Sequence, residues 1–194
     1  MQIFGHSGSG NCLKVKWTCD LLALPYSWIE IDTFAGGSRT DEFLALNPAG
    51  QVPVVRFDDG RVLAQSNAII RYLARDGHLV PKDSFQAARM DEWLFWEQYS
   101  HEPYIAVCRA QLVYLHKSRD QLDPEKVKRG YAALQRMETQ LRATRFLIGE
   151  QVSLADMALV AYTRVAHEGG FDLAGYAAVH RWIREAEQAL GIRS

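Results

Sequence analysis

The stretch QVPVVRFDDGRVLAQSNAIIRYLARDG, residues 51 to 77, decides the fold. "QVPVVRF" and "RVLA" are two short strand-like runs separated by Asp58-Asp59-Gly60. Asp-Gly tolerates the positive φ angles of a tight turn, so the pair reads as a β-hairpin. "SNAIIRYLARDG" then predicts a helix, with Ser66 as its N-cap and Gly77 beyond its end. A hairpin running straight into a helix calls for a small sheet with helices packed on its faces.

Toward the N-terminus the signals alternate. "QIF" is a short apolar start. Leu13, Trp17, Leu21 and Leu24 then recur at helical spacing until Pro25 stops the stripe. "YSWIEI" alternates like a strand, and "TDEFLALNP" predicts a short helix that ends before Pro48. The order is β-α-β-α-β-β-α.

Beyond "DGHLVPKD" no alternating strand is found. A helical pattern covers about residues 84 to 117, with Pro103 expected to kink it. A second helix is expected from Pro124, a favoured first helical position, to about Ala143. A third follows "VSLAD", where Ser153 and Asp156 are spaced to cap each other's backbone N–H. "YAAVHRWIREAEQAL" predicts a fourth. The expected division is an α/β domain over 1–76, an exposed linker over 77–83 and an all-helical domain over 84–194.

The 194 residues suffice for a substantial core, and 48% hydrophobic with 23% charged residues suits a soluble globular chain. A net charge of −1 and no basic run give no basis for binding nucleic acid or an anionic membrane. Three cysteines, odd in number and without CxxC spacing, suit a reducing compartment. "MQIFGHSGSG" lacks a signal peptide's basic start and apolar run, and no apolar stretch nears the roughly 20 residues of a membrane span. A cytoplasmic protein is expected. Six histidines without HxxH or HExxH spacing predict no metal site.

The glycine-rich stretch "FGHSGSGNCLKV", residues 4 to 15, runs into a helix whose first turn can offer backbone N–H groups to an anion. It has neither the GxxxxGK[ST] nor the GxGxxG spacing of a phosphate loop.

Four segments carry a resemblance: "SGNCLKV" (9–15), "LNPAGQVPVV" (46–55), "LAQSNAIIRYLA" (63–74) and "FLIGEQVSLADMAL" (146–159). In this order they resemble the glutathione S-transferase family over nearly the whole chain. The resemblance implies a thioredoxin-like domain, an all-helical C-terminal domain and usually a homodimer. It also implies glutathione as co-substrate, with no separate cofactor. Val52, before Pro53, would offer its backbone to the cysteinyl part of glutathione, with Gln51 reaching the same peptide. Ser66 would hold the γ-glutamyl end through its hydroxyl and N–H. Gln65 stands where many relatives have Glu. Arg39 is a candidate for the glycyl carboxylate, with a solvated surface arginine as the equal reading.

The loop looks like that of serine-type transferases such as the theta and zeta classes, and counting back from Val15 places the family's serine at Ser9. A hydroxyl and a helix N-terminus both stabilise a thiolate, the nucleophilic form of the thiol. Cys12 is the rival, able to form a mixed disulfide with glutathione. Its stripe with Val15, Cys19 and Leu22 is instead the pattern of a buried small hydrophobe. The electrophile is expected between the domains, with Tyr104 as a wall residue. The leading reading is therefore a glutathione transferase acting on a small electrophile. Two alternatives stand beside it: a glutathione-dependent disulfide reductase using Cys12, and a non-catalytic glutathione-binding interaction domain.

Overall fold

The computed structural model describes residues 1–192. The chain divides into two compact units, Met1–Gly77 and the residues from His78 onward.

In the first unit the elements are β1 (Gln2–Gly5), α1 (Gly10–Leu21), β2 (Ser27–Glu30), α2 (Asp41–Leu46), β3 (Val54–Arg56), β4 (Val62–Ala64) and α3 (Ser66–Leu73). One sheet forms in the order β2-β1-β3-β4. β1 and β2 are parallel, joined through α1, while β3 runs antiparallel to both β1 and β4. The side-chain period of two sorts the faces. Phe4 pairs with Val54, and both pack with Phe43 of α2; their neighbours Ile3 and Val55 face the other side and are fully buried. α1 packs against α3. This is the thioredoxin-like arrangement expected from the sequence. The hairpin turn closes with Gly60 at φ +84° and Phe57 N donating to Arg61 O at 2.9 Å.

Ser66 is not the N-cap of α3, contrary to expectation. Ile69 N donates to the carbonyl of Gln65 at 2.9 Å, so the helical ladder starts one residue earlier and Gln65 is the cap. Ser66 is the first helical residue, and its hydroxyl is drawn instead to α1.

The second unit is helical: α4 (Ser84–Trp96), α5 (Glu102–Val113), α6 (Pro124–Ala143), α7 (Leu154–Thr163) and α8 (Ala177–Leu190). The single pattern expected over 84–117 is interrupted by a π-helical stretch, Glu97–His101. Pro103 lies two residues beyond it; without an N–H it cannot bond the carbonyl four residues back, and the ladder widens just ahead of it. Leu79, in the segment expected as an exposed linker, is fully buried, and its carbonyl accepts from Leu154 N at 3.1 Å. No helix among the described residues is long and apolar enough to cross a membrane.

Every residue of α7 is buried, which makes it the centre of this unit. Ser153 and Asp156 form the expected capping box. Asp156, fully buried, also accepts from Leu147 N at 3.0 Å and Trp182 Nε1 at 2.8 Å. α8 has no capping side chain of its own; Glu138 of α6 accepts from Val179 N at 3.0 Å and Ala178 N at 3.3 Å, and pairs with Arg142. Burial works to raise the Glu138 carboxyl, but these donors outweigh it and hold it below the usual carboxylate value. A carboxyl lowered on folding adds stability above its unfolded pKa and loses it as pH falls through the folded one. Glu138→Gln should therefore lower unfolding free energy at pH 7 by about 1 kcal/mol or more. The deficit should shrink below about pH 4, as urea melts across pH would read.

Candidate functional site

Three segments leave the sheet at one end. Phe4 pairs with Val54, and Val54 with Ala64. The loop carrying Ser9 after β1, the Val52-Pro53 segment before β3 and the Gln65-Ser66 step after β4 therefore start side by side.

Ser9 is the N-cap of α1, with φ −90° and ψ 120°; its carbonyl accepts from Cys12 N at 3.0 Å and Leu13 N at 2.9 Å. Its hydroxyl does not cap the helix but hydrogen-bonds the Cys12 thiol. Cys12 has no exposed surface. Burial pushes its thiol up to about 11, and the His6 N–H, 3.4 Å from Sγ, and the Ser9 hydroxyl only partly offset this. Cys19 is buried as well and pushed up to about 12.

The loop ahead of Ser9 is pinned by Glu30. Its carboxylate accepts from Trp28 Nε1 (2.7 Å), Ser7 N (2.8 Å) and His6 Nδ1 (3.1 Å). Partial burial opposes ionisation there, yet these donors keep the Glu30 carboxyl below its usual value. Gly5 is required where the loop leaves β1, because a Cβ would lie 2.6 Å from the Trp28 ring.

At the α3 entrance Gln65 has φ +71° and ψ 112°, a backbone that residues other than glycine rarely adopt. Such strain persists only where the surroundings enforce it, and it collects at functional sites. The Ser66 hydroxyl donates to Asn11 Oδ1 at 3.1 Å. The same oxygen accepts from Lys14 Nζ at 2.8 Å, and Lys14 reaches Asn67 Oδ1 at 3.4 Å. The two helix entrances are thus tied side chain to side chain.

The Val52-Pro53 bond is cis. Asn47 Nδ2 donates to Gln51 O at 2.8 Å and holds the segment from behind. Arg39, although exposed, lies along this loop, with Nη1 donating to Ala49 O at 3.3 Å. Gly50 has φ +63°, and a Cβ there would collide with the Arg39 guanidinium. Arg39, from the turn ahead of α2, therefore lies beside the loop after α2 that carries Gln51, Val52 and Pro53.

Tyr104 belongs to the helical unit, where its hydroxyl accepts from Arg129 Nη1 at 3.1 Å. Cys108 is buried there. No group of three or more His, Cys, Asp or Glu able to hold a metal occurs among the described residues. The sequence reading passed over Asn11, Lys14, Asn67 and Glu30. The one signal for the first two was their spacing of three in a helix, which faces them together.

Residues 8–76 match the family model described as glutathione S-transferase, N-terminal domain, and residues 95–188 the one described as glutathione S-transferase, C-terminal domain. The chain belongs to the glutathione S-transferase family. A crystal structure of a glutathione S-transferase from Pseudomonas fluorescens Pf-5 is 43% identical, with TM-score 0.93 over 96% of this chain and 94% of that one. Glutathione S-transferase D6 of Drosophila melanogaster is 26% identical over 97% of this chain and 87% of its own length. Elongation factor 1-gamma 2 of Oryza sativa subsp. japonica is 30% identical over 82% of this chain, which spans 39% of that protein.

The buried thiols make a direct prediction. Native protein at pH 8 should show no thiol reacting with an aromatic disulfide reagent within minutes, and three per chain should react in denaturant. Rapid native reaction of one thiol, mapped to Cys12 by peptide mass, would contradict the burial described here.

Proposed function

We propose that the protein is a glutathione transferase of the serine type, joining the glutathione sulfur to a small hydrophobic electrophile. The observation that carries this reading is the convergence of the Ser9, Val52 and Ser66 segments at one end of the sheet. Two helix N-termini meet there, and their first-turn N–H groups and partial positive charge suit anionic parts of a ligand. Glutathione offers both a carboxylate and, on ionisation, a thiolate.

In this reading the Ser9 hydroxyl donates to the thiolate and lowers the thiol's pKa, with the thiol proton passing to solvent. The sulfur lone pair attacks the electrophilic carbon, a C–S bond forms, and the leaving group departs with the bonding electrons. Val52 holds the cysteinyl backbone, Gln65 and the N–H of Ser66 take the γ-glutamyl end, and Gln51 and Arg39 reach the rest. Tyr104 is assigned to the electrophile side. Burial of Cys12, with its thiol pushed up to about 11, supports Ser9 over Cys12 as the working residue.

Hydrogen bonds to charged groups are worth about 1.5–3 kcal/mol, so Ser9→Ala should lower kcat/KM for aryl halide conjugation by about 10- to 100-fold. The pH profile should move to higher pH, while Cys12→Ala keeps most of the activity. Intact turnover in the first variant and its loss in the second would reassign the chemistry to the cysteine. The 30% identity to Elongation factor 1-gamma 2 favours a second reading, a non-catalytic glutathione-binding interaction domain. Absence of any conjugation by a protein that still binds glutathione would support it.

A cytoplasmic homodimer is part of the proposal. Phe95 and Tyr99, four residues apart, are 77% and 82% exposed, the kind of apolar surface that a second copy covers. Phe95→Asp should shift the protein toward monomer in sedimentation velocity; an unchanged dimer would exclude this face.

A further inference from the structure

We infer that Phe34 is a specificity-determining residue, a ring on which a planar aromatic electrophile stacks while the sulfur attacks it; this inference rests on the glutathione reading above. The sheet order decides where such a molecule can lie. β2 is parallel to β1 and pairs with it residue for residue, Gly5 opposite Glu30, so the chain leaves both strands at the same end. Across that end the order is the segment after β2, the Ser9 loop, the Val52-Pro53 segment and the Gln65-Ser66 step. Each strand adds about 4.8 Å. Glutathione held at Val52 and Ser66 fills the side of β3 and β4. The bond from its sulfur to Cβ then points back toward Val52, and the sulfur lone pairs face the side of β2.

Phe34 stands on that side. Its ring meets the His6 ring edge-on, with centroids 5.7 Å apart and planes at 71°. The His6 carbonyl accepts from Ser9 N at 2.9 Å, so a single residue links the Phe34 ring to the proposed thiolate donor. Phe34 is 48% exposed. Among the described residues of this unit the only other exposed large apolar side chain is Val62, on β4 at the opposite edge of the sheet.

The segment that carries Phe34 is held in place. Asp32 Oδ1 accepts from Phe34 N at 3.0 Å and Ala35 N at 2.9 Å, and Asp32 O accepts from Gly37 N at 2.7 Å. The His6 ring is itself fixed by Glu30. A ring whose backbone and neighbour are both held loses little freedom when a second ring packs on it. Two aromatic rings gain more than apolar burial, through offset or edge-to-face contact, whereas an alkyl chain gains burial alone. With an aryl halide the thiolate adds to the ring carbon that bears the halogen. The C–S bond forms, the C–halogen bond breaks, and halide leaves with the bonding pair. Stacking on Phe34 holds the ring through both changes and so ranks aryl above alkyl electrophiles.

Steady-state kinetics of the full chain with dinitrochlorobenzene and with iodohexane test this. Phe34→Leu keeps an apolar side chain without a ring and should lower the aryl-to-alkyl ratio of kcat/KM by about fivefold to tenfold, while Phe34→Tyr holds the wild-type ratio. Calorimetric titration should give both variants the wild-type glutathione affinity, because Phe34 lies across the sulfur from the tripeptide. A ratio unchanged in Phe34→Leu, or a fall as large in Phe34→Tyr, overturns the assignment of Phe34. Loss of glutathione binding in Phe34→Leu overturns it too, since the residue would then support the tripeptide. Wild type that conjugates iodohexane but not dinitrochlorobenzene overturns this inference and leaves the transferase reading standing. Wild type that conjugates neither overturns both.

Discussion

One amide oxygen, Asn11 Oδ1, receives both the buried Lys14 ammonium and the Ser66 hydroxyl, and it locks the entrance of α1 to the entrance of α3. Much of the first unit's geometry depends on this junction. The Ser66 and Asn67 side chains tie the start of α3 to α1, and Gln65, at φ +71°, stands where the chain turns from β4 into that helix.

The helical unit solves the burial of charge differently. Asp156 is surrounded by donors, from Ser153, Leu147 and Trp182, so its oxygens are satisfied within the core. Glu138 is satisfied by the N-terminus of α8 and by Arg142. Both carboxylates tie distant parts of the chain together, and removing either would strand buried N–H groups. Their partners all lie within the unit, and this marks them as structural.

What the sequence made legible was whatever depends on local pattern. The hairpin followed from Asp-Gly between β-rich runs, α6 ran over Pro124–Ala143 as its starting proline and apolar spacing implied, and the Ser153–Asp156 cap came from a spacing of three. What stayed hidden depends on distant partners. A serine after a glutamine reads as an N-cap, and only the positive φ of Gln65 moves the cap one residue back. Lys14 drew no reading, since nothing between Leu13 and Val15 reveals that Asn67 comes within reach of its ammonium. Of the candidate site, the Val52-Pro53 and Gln65-Ser66 steps were legible as motifs, whereas Asn11, Lys14 and Glu30 emerge only once the strands are paired.

The contrast between Ser9 and Cys12 shows why position within a helix entrance matters more than distance along the chain. Both residues feel the positive end of α1, which favours any anion near it. Cys12 lies one turn inside, where loss of water outweighs that field and holds the sulfur as a thiol. Ser9 stands at the cap, and its hydroxyl already bonds a sulfur, that of Cys12. A ligand thiolate brought to the same mouth would keep more of its hydration than Cys12 can, meet the same field, and present a charged acceptor to a hydroxyl now held by a neutral one. A charged acceptor makes the stronger hydrogen bond, so the hydroxyl would turn outward to it. In the proposed mechanism, the same entrance that keeps its own cysteine protonated would ionise a thiol supplied from outside.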